Sequence, residues 1–299
     1  MTIPRTSAFL AIKVPVSKRG VLDFVWAYPR LTCGTALLAL LVLMSVLAPV
    51  LAPYDPLQNN PNATLLPPSG EHWLGTDLLG RDVWSRVLYG GKDTLYIAVL
   101  SGVSATVIGV ILGLIAGQRP GAVDTVIMRA MESVLAFPSL ILALAISFAL
   151  GSSFTSILIA VTVSSIPRTA MLVRGEVRAL ANRKFVDSAR VSGASSTRIM
   201  MRHELPNMTE IITVQVALDT GQAIFISASL AFLGLGLPPP APNWGGLLKD
   251  GYVFLANAPL QCLAPGALIF LALLAFNLIG DGLRDYFDPR TLSRQRIRR

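Results

Sequence analysis

Long uncharged apolar runs, parted by short polar clusters, set the first expectation for this chain. A helix that crosses a bilayer needs about 20 mostly apolar residues. Leu31–Ala52 is the first such run and holds no charge. It is too long for a signal-peptide core and shows no cleavage pattern, so it is expected to stay as a span. Asp93 and Arg119 enclose a second run, in which Gly109, Gly113 and Gly117 recur every four residues. That spacing lines small residues along one helix face and lets a neighbouring helix approach. Glu132 and Arg168 bracket 35 uncharged residues. One helix of that length would reach about 52 Å against a hydrocarbon core of about 30 Å, so the run must break. Gly151, Ser152 and Ser153 supply the break. Arg129 and Glu132 then fall one turn apart at the start of the third helix, where they can pair. The fifth run carries a single charge, Asp219. The pattern predicts an all-α membrane protein with six transmembrane helices, over 31–52, 94–117, 125–150, 154–174, 208–234 and 262–280. Two long connections, 53–93 and 175–207, join them, and tails 1–30 and 284–299 flank them.

Composition agrees and narrows the class. Apolar residues make up 53% and charged residues 14% of the 299, with a mean hydropathy of +0.61. Average soluble proteins carry roughly 25% charge, and a chain this apolar is not disordered. The net charge is +8, which in a soluble protein would point to nucleic acid. Its distribution gives another explanation. Twenty of the 25 basic residues fall on one side of the six-span layout, seven of them within 174–207. The positive-inside rule therefore places both termini and the 175–207 connection in the cytoplasm and removes the nucleic-acid reading. Cys33 and Cys262 both sit in apolar runs, which argues against a disulfide framework or a zinc site.

The outer connection, 53–93, is rich in proline and ends in HWLGTDLLGRDVWSRVLYGG. Gly75 and Gly80 have the spacing of a phosphate-binding loop. Arg81 and Asp82 stand where Lys and Ser or Thr are required, so nucleotide binding is rejected. A short helix at the membrane surface is expected instead, with Trp73, Trp84 and Tyr89 at the interface. The inner connection reads as helix, break, helix. Ala179–Ser192 is the first helix, and Gly193 can supply a left-handed cap. Ser195 or Ser196 can start the second, and Leu205-Pro206 is expected to end it. A folded basic element of this kind is either a docking surface or a solvated loop that only sets topology.

Asp219 also has two readings, a wall of a translocation path or a structural partner inside the bundle. Asp281 and Arg284 are expected to pair locally at the end of the last span. The two histidines, His72 and His203, lie outside the spans, so no metal path or metal site is predicted. No nucleophile–base pair is recognisable in a span, so no catalytic residues are assigned. An ion-coupled transporter would need several ion-binding groups at mid-membrane, and Asp219 is the one candidate.

FVDSARVSGASSTRIMMRHELPN resembles the EAA loop of ATP-binding cassette (ABC) importer permeases. Asp187-Ser188-Ala189 takes the acidic-small-Ala triplet, keeping charge and small size. Gly193 takes the glycine, and Leu205-Pro206-Asn207 the terminal LPN. HWLGTDLLGRDVWSRVLYG, FLGLGLPPPAPNWGGLL and AFNLIGDGLRDYFDPR resemble the C-type permease subunit of the dipeptide, oligopeptide and nickel importer family, covering most of residues 65–290. The resemblance implies a type I ABC importer permease fold in a bacterial inner membrane, embedded in lipid. It implies a second, B-type permease, two cytoplasmic ABC ATPases and an extracytoplasmic substrate-binding protein as partners. The chain would bind no cofactor and catalyse nothing itself, ATP and Mg being held by the ATPases. Ser195 to His203, with Ser196, Arg198 and Arg202, would form the coupling helix, and Asp187 would help hold the ATPase. The implied cargo is a di- or oligopeptide, with nickel chelates or glutathione-like peptides as alternatives.

Overall fold

The computed structural model describes residues 21–287. Arg5, Lys13, Lys18 and Arg19 of the first tail, and Arg290, Arg294, Arg296, Arg298 and Arg299 of the last, lie outside the described residues. Among the described residues the chain is helical, with no strand beyond one bridge between Thr76 and Asp82. A short α1 (Val21–Ala27) precedes α2 (Pro29–Val46) and the single turn α3 (Ala48–Leu51). The first apolar run is thus interrupted at Leu47, because Pro49 lacks the N–H that a continuous helix would use.

The membrane-surface helix expected around Trp73, Trp84 and Tyr89 is not a separate element. Residues 52–82 form an irregular strap, and Trp84 and Tyr89 lie in the first turns of α4 (Val83–Gln118). Asp82 sets that start: its carboxylate accepts from the Ser85 backbone N–H at 2.8 Å and from the Ser85 hydroxyl at 2.7 Å. With 36 residues, α4 is about 54 Å long and overruns the bilayer.

The third span also departs from expectation. Instead of one helix over 125–150 there are two, α5 (Ala122–Leu135) and α6 (Ser139–Leu150), bent by 91°. Pro138 forces the bend, since it donates no hydrogen bond and disfavours helix at Phe137. Among the described residues five helices are long and apolar enough to cross a membrane, and the bent pair makes up to six. Arg129 and Glu132 pair at 3.1 Å on α5.

Then come α7 (Phe154–Ala181), α8 (Lys184–Val191), α9 (Ser196–Ile199), a π-helical turn over Met200–Glu204, α10 (Leu205–Asn207) and α11 (Thr209–Leu230). A second π-turn, Ala231–Leu235, ends that span. Periodicity alone does not predict α12 (Trp244–Tyr252), which Asn243 caps by accepting from the Gly246 N–H at 2.8 Å. The last helix is α13 (Pro259–Phe287). Asp281 and Arg284 on it form no ion pair among the described residues. Arg30 at the start of α2 instead meets Asp285 at 3.3 Å. The two ends of the described chain therefore lie side by side.

The centre of the bundle is α4, α7 and α11, wrapped by α2 and α13. Small residues dominate where these helices touch, among them Ala98, Ala160, Ala223 and Ala272, all fully buried. Gly109, Gly113 and Gly117 lie on the face of α4 against α7. A Cβ added at each would fall 2.7 Å from Thr169, 2.6 Å from the Ala170 carbonyl and 2.6 Å from Val177. At Gly113 the obstacle is backbone, which cannot turn aside. Gly113→Leu should therefore separate α4 from α7 and destabilise the protein by about 1–3 kcal/mol or more. A lowered melting temperature in detergent, larger than for Gly175→Leu where the space is open, checks this.

Candidate functional site

Asp219 sits at the heart of the bundle, 3% exposed. One carboxylate oxygen accepts from the Thr106 hydroxyl of α4 at 2.9 Å and the Thr169 hydroxyl of α7 at 2.7 Å. The other accepts from the Gln215 amide, one turn back on α11, at 2.8 Å. The structure thus encloses Asp219 between three helices and does not expose it along a path. Thr106 and Thr169 escaped the sequence reading because threonine is common in spans. The available signal was position: Thr106 lies three residues before Gly109, on the same helix face.

A second polar node lies at the end of the bundle that carries the 182–207 connection. Asp124, in the first turn of α5, accepts from both Arg174 and Arg178 of α7, the latter at 2.6 Å. This tie corrects the expected helix boundaries. Held through Arg174 and Arg178, α7 runs on to Ala181, and the next helix is only Lys184–Val191 rather than Ala179–Ser192.

Gly193 lies at φ +81°. Its N–H donates to the Arg190 carbonyl at 3.0 Å, and the Ala194 N–H reaches back to Ala189 at 3.0 Å. This pair of bonds is the Schellman motif that closes a helix through a left-handed residue. The Ser195 hydroxyl then accepts from the Arg198 N–H at 3.3 Å and starts α9, with Ser196 its first residue. Leu205-Pro206 does not end the helical path. The widened π-turn before it absorbs the proline, which occupies the first turn of α10, and the chain passes almost directly into α11.

The connection has two sides. Inward, Val186, Ile199, Glu204 and Met208 are buried, and Met208 joins Leu114 of α4 with Val173 and Val177 of α7 in an apolar cluster. Glu204, 2% exposed, accepts from Gln118 at the end of α4. Neither residue was predicted, although an acid inside the basic RIMMRHELPN stretch was a visible signal. Outward, Asp187, Ser188, Arg198, Arg202 and Pro206 are exposed, and His203 is half-buried. Asp187 meets Arg190 at 3.6 Å, and the Ser188 hydroxyl donates to the Lys184 carbonyl at 2.9 Å. Among these polar groups Val191 is 89% exposed and Met201 55%.

At the opposite end, the strap meets α12 around a cleft of about 490 Å³, lined in part by Asp77, Arg81, Arg86, Lys249 and Pro240. Arg86, 4% exposed, donates to the Pro56 carbonyl at 3.1 Å, while Trp244 of α12 donates its indole N–H to the Val87 carbonyl at 2.9 Å. Both contacts fasten the outer elements to the top of α4.

The multi-pass helical body, with a folded, basic connection anchored to its central helices, and the family match together make the chain a membrane transport permease. The chain belongs to the family of binding-protein-dependent transport system inner membrane components, whose model matches residues 109–293. The N-terminal TM domain of oligopeptide transport permease C matches residues 32–68 and assigns the C-type branch. Among similar proteins is a dipeptide transport system permease of Alkalihalophilus pseudofirmus, 40% identical over 87% of this chain and 86% of that protein. A di/tripeptide transport system permease of Pseudomonas aeruginosa is 40% identical over 86% of this chain and 87% of its own length. A glutathione transport system permease of Pectobacterium atrosepticum is 42% identical over 76% of this chain and 75% of its own. The protein is therefore a multi-pass component of a bacterial inner membrane.

Burial pushes the Glu204 carboxyl above its ordinary value of 4.5, against the opposing hydrogen bond from Gln118. A raised folded-state value means that the native protein favours the protonated acid. The contribution of this group to stability is then present at low pH and is lost as pH rises through that value. Glu204→Gln keeps an acceptor for Gln118 and removes the titration. Relative to the wild type, the melting temperature of the variant should rise as pH increases through the Glu204 titration.

Proposed function

We propose that this chain is the C-type permease of an ATP-driven importer of di- or oligopeptides. A B-type permease completes the pathway, a binding protein delivers cargo at the cleft end, and two ATPases dock at the basic end. The basic end then faces the cytoplasm, in keeping with the positive-inside rule. The observation that carries this reading is the outward side of the connection. Val191 and Met201 stand exposed in the same connection as the exposed Arg183, Lys184, Arg190, Arg198 and Arg202, on an element whose inward side is packed against α4 and α7. An exposed apolar centre with a charged rim is the anatomy of a docking face. The ATPases would hold ATP and Mg, and their closure would push on the connection and tilt the helices behind it. A peptide cargo is supported by the dipeptide and di/tripeptide permeases among the relatives. A glutathione-like peptide is supported by another relative at similar identity.

The test is reconstitution of the four kinds of subunit in proteoliposomes with ATP inside. ATP-dependent uptake of a dipeptide is expected, and uptake that follows an ion gradient without ATP would defeat the reading. Gly193→Val strains the left-handed cap although the space around it is open. It should cut uptake while ATP hydrolysis continues, and normal uptake would remove the cap from the coupling role. Asp187→Lys breaks only an exposed pair, so the fold survives. The ATPases should co-purify less with this variant, and unchanged recovery would place Asp187 outside the contact.

A further inference from the structure

On α7, Ala170, Val173 and Val177 pack toward the glycine face of α4, and Thr169 reaches Asp219. Arg168 projects from the other side of the helix and is exposed. Leu172, Gly175 and Ala179 are exposed as well, and their 4-3-4 spacing puts all four residues on one stripe. Arg168 lies midway along α7, about 20 Å from either end by helical rise. Arg174, Glu176 and Arg178 form the polar end of α7, so Arg168 lies about 9 Å by helical rise from the end of its apolar stretch.

An arginine within the apolar stretch of a span is costly against lipid, and such residues face a bundle interior or a water-filled cavity. Lipid is met mainly by other helices. In their most apolar stretches α2 is 17% buried and α13 33%, against 61% for α7. The stripe belongs to the central trio, which also leaves Tyr96, Val107 and Ile111 of α4 and Phe225 of α11 exposed; the stripe is the exposed part that carries Arg168. The oxygens of Asp219 already accept three hydrogen bonds, from Thr106, Thr169 and Gln215. Among the described residues no hydrogen bond or ion pair occupies the guanidinium of Arg168.

Resting on the importer reading, we infer that Arg168 lines the translocation path and holds a carboxylate of the passing cargo. The C-terminal carboxylate of a peptide fits the guanidinium fork in bidentate fashion. Below it toward the basic end the stripe offers Gly175 and Ala179, small residues that leave room for the peptide to move on.

The full transporter, reconstituted with both permeases, the ATPases and the binding protein, tests this with one tripeptide in two forms. One form has a free C-terminal carboxylate and the other a C-terminal amide, each supplied at a concentration that saturates the binding protein. Arg168→Gln should lower uptake of the free acid by about tenfold or more. Arg168→Lys should keep most of it, and uptake of the amide and ATP hydrolysis should be unchanged in both. Equal loss for both forms would overturn the inference and assign Arg168 to an acidic group of the second permease. Unchanged uptake would overturn it in favour of lipid headgroups. A cargo-independent arm uses Arg168→Cys in a chain with Cys33→Ser and Cys262→Ser. Reaction with a membrane-impermeant thiol reagent supports a water-filled path at this position even if the wild type carries neither peptide, and no reaction refutes it.

Discussion

A carboxylate inside a membrane bundle is the constraint on which the rest of this structure depends. Asp219 would cost about 2.5–3.5 kcal/mol at the centre of an isolated span. Donors from α4, α7 and its own helix offset that cost only if the three helices stand in one register. The register is reachable because α4 presents glycine where α7 and α11 come closest: Gly102 against Thr220, Gly109 against Thr169 and Gly113 against Ala170. The polar node and the close packing therefore require each other. Bulky residues on α4 would pull the hydroxyls away from Asp219, and an apolar residue at 219 would leave the helices free to slide.

The same three helices carry the connection at the basic end. Gln118 ends α4 and reaches Glu204, Val177 of α7 packs on Met208, and α11 begins directly after Met208. Arg174 and Arg178 tie in α5 through Asp124. One side of the connection is thus part of the bundle and the other is free to meet a partner. Helical periodicity alone makes this division, with Val186, Ile199 and Glu204 turned in and Asp187, Val191, Arg198 and Met201 turned out.

The spans were legible in the sequence because bilayer thickness is a length, and an uncharged run of the right length is visible in one dimension. The basic connection was legible because its motif and its caps, Gly193 and Ser195, are local. What stayed hidden depended on distant partners. Asp124 extends α7 by pairing across fifty residues, and Thr106 and Thr169 acquire meaning only when Asp219 is brought between them. Pro138 was visible, but the unbroken apolar run around it hid its effect. The π-turn before Pro206 follows from no residue pattern, and it reversed the expectation that the helix stops there. Asn243 was a readable cap for α12, on a helix too short for periodicity to announce.

The unbroken length of α4 has a mechanical consequence. Its first turns hold the outer strap through Arg86 and the Pro56 carbonyl, and its last residue touches the connection through Glu204. Gly90, Gly91, Gly102, Gly109, Gly113 and Gly117 all lie within it, yet they are clamped by neighbours and give it no hinge. A rod of about 54 Å pivoting by about 10° at its middle moves each end by about 5 Å, in opposite directions. A tilt of α4 would thus displace both membrane faces together, geometrically and by a single lever.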